Sequence, residues 1–83
     1  MARRTADRNH GLTRREIEVI QWLAFGKSAG EIAVILSISA TTVRAHTRRT
    51  LQKLSACNIP HAVAIAFRSG ILQLESAPSR APS

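Results

Sequence analysis

The 83-residue chain has little of what several large functional classes require. It holds one cysteine, Cys57, so no internal disulfide can form, and a reducing compartment is the simpler fit. That thiol and three widely spaced histidines match no zinc pattern. Aromatic residues are limited to Trp22, Phe25 and Phe67, with no tyrosine, too few for the stacking platforms of a single-strand nucleic-acid binder. No apolar run approaches the ~18 residues that span a bilayer. Residues 1–10 are polar and basic with no apolar block behind them. No membrane partner and no secretory signal are therefore expected, and the chain reads as cytoplasmic. The glycines, at 11, 26, 30 and 70, are scattered and cradle no phosphate. Paired carboxylates, a metal cluster and a nucleophile elbow are also missing, so an enzyme has no support and no cofactor or metal is expected.

Acidic residues are scarce as well. There are 5 Asp+Glu against 12 Lys+Arg, a net charge of +7, and no acid lies between Glu31 and Glu75. Ten of the twelve cations are Arg; only Lys27 and Lys53 are Lys. The guanidinium fork matches phosphate oxygens and the guanine edge. Charge alone fits a solvated basic surface and a nucleic-acid partner equally well.

Nearly half the chain (45%) is apolar, so a core is expected. Residues 1–11 read as a basic arm without periodicity, and residues 75–83 as an Ala/Pro/Ser tail. The folded part is then 12–74, close to the lower size limit for an independent core.

Four helices are expected within it, and no segment alternates with period 2, so the fold class is all-α. Thr13 and Glu16 form a capping box ahead of Ile17, Ile20 and Ala24, with Val19 and Leu23 alongside; Gly26 is placed to end this helix in a left-handed conformation. Ser28 and Glu31 repeat the device before Ile32, Ala33, Ile35 and Leu36. Ser39 caps a third helix over about 40–55. At ~100° per residue its Val43, Thr47, Thr50 and Leu54 share one side, with Leu51 at the edge. Thr41, Ala45, Arg48 and Gln52 lie opposite, flanked by Arg44 and Arg49. Pro60 suits the first turn of a fourth helix whose residues 62–67 are apolar almost all round. A domain this small cannot hide every side of it, so part of this helix is expected to meet another molecule. Gly70 ends it, and Ile71, Leu72 and Leu74 can fold back onto the core.

A short helix, a three-residue turn and a second helix make a helix-turn-helix. Ala33 is the small residue where the two helices cross, Ser37 the small residue in the turn, and Ile38 and Val43 pin the second helix so that its N-terminal half can enter a major groove. The residues Leu12-Thr13-Arg14-Arg15-Glu16, Gly26-Lys27-Ser28, Glu31-Ile32-Ala33, Ile38-Ser39, Thr42-Val43, His46, Lys53-Leu54 and Ala62-Val63 stand in one order. They resemble the C-terminal DNA-binding domain of LuxR/GerE-type transcription regulators. Trp22 and the stretch Ile35-Leu36-Ser37-Ile38-Ser39 look most like the quorum-sensing branch. One place departs: the family usually has Asn-Arg before the fourth helix, whereas Asn58 is followed here by Ile59.

The resemblance implies a four-helix bundle whose third helix reads double-stranded DNA and whose fourth mediates dimerisation. It gives base-reading roles to Arg44, Ala45 and Arg48. Lys27, Thr41, Thr42, His46, Arg49 and Lys53 are assigned to the DNA backbone, where contacts add salt-dependent affinity without sequence information. His61, Ala62, Ile65, Ala66 and Ser69 are assigned to a homodimer contact. RNA polymerase or a full-length LuxR-type regulator are candidate further partners, and a stand-alone module that pairs with and modulates such a regulator is the competing reading. Other residues carry plainer expectations. Glu16 reads as a cap and ion-pair partner for Lys53, His46 as packed or touching phosphate, Trp22 as a half-buried core residue, Cys57 as inert, and Ser28 and Ser39 as caps.

Overall fold

Helix boundaries in the computed structural model, which describes residues 10–73, fall where side chains supply the caps. The elements are α1 (Arg14–Ala24), α2 (Ala29–Leu36), α3 (Ala40–Leu54) and α4 (Ile59–Arg68), with no strand among the described residues. The arm residues 1–9, Leu74 and the tail 75–83 lie outside them. Thr13 Oγ1 accepts from the Glu16 backbone N–H (3.1 Å) while Glu16 Oε1 accepts from Thr13 N–H (2.9 Å). Ser28 and Glu31 exchange the same pair of bonds at 3.2 and 2.8 Å. These satisfy donors that the first helical turn leaves orphaned. The bonds from Ser28 hold the exposed Glu31 carboxyl below the ordinary glutamate range. Ser39 and Asn58 cap α3 and α4 through the N–H groups of Thr42 and His61.

The C-terminal stops are of two kinds. After α1, Gly26 takes φ +97°, and the N–H groups of Gly26 and Lys27 return to the carbonyls of Leu23 and Trp22. Glycine reaches that conformation without a Cβ penalty. After α2 and α3 the left-handed position falls instead to Ser37 (φ 60°) and Ser55 (φ 55°), which strains an L-residue.

Two apolar clusters form the core, and α1 and α3 contribute to both. Val19, Trp22, Ile32, Ala33, Leu36 and Val43 join α1, α2 and α3. Leu12, Ile20, Leu54, Ala62, Ala66 and Leu72 join α1, α3 and α4 to the segments flanking the bundle. Fully burying one such aliphatic chain contributes ~1.5–3 kcal/mol. Thr47 and Thr50 tolerate the inner side of α3 because their hydroxyls donate to the carbonyls of Val43 and His46 at 2.9 and 2.8 Å.

The structure differs from expectation at Ala24, Trp22, Ala62 and Ala66. Ala24 is exposed and does not share the buried stripe of α1; because α1 serves two clusters, its inner face turns toward Val19 and Trp22. Trp22 is buried outright, its ring meeting Phe25 edge to face at 5.9 Å. Helix α3 runs over Ala40–Leu54, as expected, and ends where Ser55 leaves the helical region. Ala62 and Ala66, assigned to the dimer contact, face inward with 1% and 0% exposure. Their small side chains are what lets α4 pack close against Ile20 and Leu54, so in the single chain both are given to the core.

Candidate nucleic-acid interface

Helix α3 is held at both ends. Val43 anchors its start in the α1–α2 cluster and Leu54 its finish in the α4 cluster. Lys53 adds a polar clamp: Nζ donates to Glu16 Oε1 at 2.8 Å and to the Gly11 carbonyl at 3.1 Å. Burial of Glu16 would by itself raise its carboxyl. The hydrogen bonds from Lys53 and the Thr13 backbone, together with the Lys53 charge, outweigh it and hold the group below its ordinary value. The charge on Lys53 is thus engaged by Glu16 at the edge of the fold, and Gly11, placed in the arm by sequence, is tied to it.

With both ends fixed, the outward face of α3 is set. Thr41, Thr42, Arg44, Arg48, Arg49 and Gln52 are exposed, and Ala45, His46 and Thr47 are half-buried. Around the axis, with Val43 at zero and ~100° per residue, Arg44 and Arg48 fall on one flank and Arg49 on the other, with Thr41 and Ala45 between them. Arg44, Arg48 and Arg49 take part in no ion pair among the described residues. At the helix start, Ser39 Oγ and Thr42 Oγ1 lie 2.8 Å apart, and no acidic residue occupies the first turn. The face therefore presents three guanidinium groups without an ion-pair partner among the described residues, beside a Ser39-capped helix start free of acidic side chains, a surface complementary to an anion.

Arg44 and Arg48 are brought together with Lys27 along one groove of about 560 Å³. Its other walls include Leu23, Leu51 and Ile59. Sequence reading missed this apolar floor, although the Asn58-Ile59 departure was the signal for it. His46 has its Nδ1 enclosed without a partner, leaving only the Nε2 edge of the ring for an outside contact. On α4, His61 is exposed and Ile65 half-buried, and the C-cap Ser69, also half-buried, follows one helical turn later. The His61 Nδ1 accepts from the Cys57 backbone N–H at 3.0 Å, a return bond that closes the α4 cap. Cys57 is a free, exposed thiol. No group of three or more metal-ligating side chains occurs among the described residues, and none of their helices is long and apolar enough to cross a membrane.

A family profile described as bacterial regulatory proteins, luxR family (GerE) matches residues 10–66. The chain is 46% identical over 67 residues to the HTH-type quorum sensing-dependent transcriptional regulator RpaR of Rhodopseudomonas palustris, covering 81% of this chain and 28% of RpaR. It is 48% identical over 61 residues to the HTH-type quorum-sensing regulator RhlR of Pseudomonas aeruginosa, covering 74% of this chain and 25% of RhlR. The match to the uncharacterized transcriptional regulatory protein YxjL of Bacillus subtilis is 44% over 61 residues, 74% of this chain and 28% of YxjL. The chain thus spans about a quarter of the length of these relatives.

Proposed function

The chain belongs to the luxR family of bacterial regulatory proteins, and from that premise we propose that it binds double-stranded DNA sequence-specifically and regulates transcription. Helix α3 lies in the major groove, and Arg44 and Arg48 donate to guanine N7 and O6. Ala45, small and central on the same face, lets the helix approach a base edge. Thr41, Thr42, Lys27 and Arg49 hold phosphates on either side, and His46 adds a contact through Nε2. Lys53 serves instead in the clamp on Glu16. Two copies pair through the outward row of His61 and Ile65 on α4 and its C-cap Ser69, with Ala62 and Ala66 kept for the core. They then read a two-fold symmetric site with half-sites about one helical turn apart. What is taken from RpaR and RhlR is transcription regulation, not the quorum-sensing dependence in their names, since only a quarter of their length is matched.

The observation that carries this reading is the acid-free outward face of α3, with its three exposed arginines outside any ion pair among the described residues. Selection of bound duplexes from a random pool at physiological salt tests it. Enrichment of a palindrome with guanine in each half-site is expected. A pool that emerges without enrichment would reject sequence-specific binding and favour the module that acts on another regulator.

A further inference from the structure

We propose that the groove beside α3 docks an acidic, amphipathic helix from a partner protein, and that this occupant and DNA exclude one another. The groove combines two chemistries that a DNA backbone does not need together. Leu23, Leu51 and Ile59, from α1, α3 and α4, give it an aliphatic floor, while Lys27, Arg44 and Arg48 line it with positive charge. Ile59 is 37% exposed, one of three large apolar side chains left open to water among the described residues. Phosphate oxygens gain nothing from covering such a floor, whereas removing it from water stabilises an occupant that brings a row of aliphatic groups of its own. Its size, about 560 Å³, is that of a site taking several side chains.

Charge complementarity fixes the sign of the occupant. Arg44 and Arg48 lie in no ion pair among the described residues, and the chain places no acid between Glu31 and Glu75 to neutralise them. A basic helix is repelled and a neutral one leaves both guanidinium groups unpaired. A helix with leucines at i, i+3, i+4 and i+7 and glutamates along the borders of that row meets both demands: apolar side chains on Leu23, Leu51 and Ile59, carboxylates on the three cations. The exclusion of DNA, but not the docking, rests on Arg44 and Arg48 being the base-reading residues.

The test uses a fluorescent synthetic peptide of that pattern, about four helical turns long, and a scrambled peptide of the same composition. Binding of the patterned peptide to the full chain, its displacement by an enriched duplex, and shifts of the Leu23 and Leu51 amide NMR signals on peptide addition are expected. Ile59→Ser should weaken the peptide about five- to tenfold while leaving duplex affinity unchanged. Equal binding of the scrambled peptide, no effect of Ile59→Ser, or amide shifts confined to other surfaces would overturn the proposal. Simultaneous binding of peptide and duplex would do the same. Should Arg44→Ala weaken the peptide and leave duplex binding untouched, docking would stand and the DNA role of Arg44 would fall.

Discussion

Replacing Lys53 with Met removes the clamp between α1 and α3 and leaves the Glu16 carboxylate where it is. That carboxylate is 2% exposed, and its Oε1 would keep only the Thr13 N–H at 2.9 Å. Breaking a fully buried pair from one side costs ~3–5 kcal/mol. The Lys53 side chain is itself 33% exposed, so water can take its place, and ~1.5–3 kcal/mol is the expected loss. That is a large part of the ~3–10 kcal/mol available to a domain of this size. The pH dependence identifies the cause. In the native protein the Glu16 carboxyl is held below its unfolded value, ~4.3. Its contribution is therefore complete above that pH and is lost as pH falls through the folded value. In Lys53→Met, burial is opposed only by the Thr13 bonds, so the carboxyl rises relative to its native value and acidification costs the variant less than the native protein. Urea unfolding followed by the fluorescence of Trp22, the sole tryptophan, should show a wide gap between the two proteins at pH 7 that closes toward pH 4. A gap independent of pH, or equal stability at pH 7, would refute the clamp.

Two further perturbations have separate readouts. Ser37→Gly relieves a left-handed backbone at φ 60° and should raise stability by ~0.5–1 kcal/mol, seen as a higher thermal midpoint; a lower one would mean that the serine side chain contributes more than its strain costs. Lys27→Met and Arg49→Ala should each weaken binding to all duplexes alike and reduce the slope of log affinity against log salt by ~1, whereas Lys53→Met should leave that slope unchanged. A slope change for Lys53→Met would make it a phosphate contact after all.

The features legible in the sequence are those fixed within a few residues. The Thr13–Glu16 and Ser28–Glu31 boxes each need only a three-residue separation, and both form. The sides of α3 were legible because its apolar and basic residues segregate at helical spacing, and Val43, Thr50 and Leu54 are buried as that spacing requires. Helix α4 gave no such signal. With residues 62–67 apolar all round, only its packing on Ile20 and Leu54 selects Ala62 and Ala66 as the inner pair. Helix α1 was misread at Ala24 for a related reason, since a helix shared by two clusters has a buried arc that no single stripe describes. The groove was hidden because its floor comes from three helices far apart in sequence.

In the proposed complex Arg44 and Arg48 read bases. The most direct test of that role is the affinity of Arg44→Ala for an enriched duplex and for a scrambled one, at one salt concentration. A loss of ~1–3 kcal/mol on the enriched site, little loss on the scrambled one, and relaxed discrimination at a single base pair in each half-site are expected. Equal weakening on both duplexes would contradict it, reducing Arg44 to one more phosphate contact.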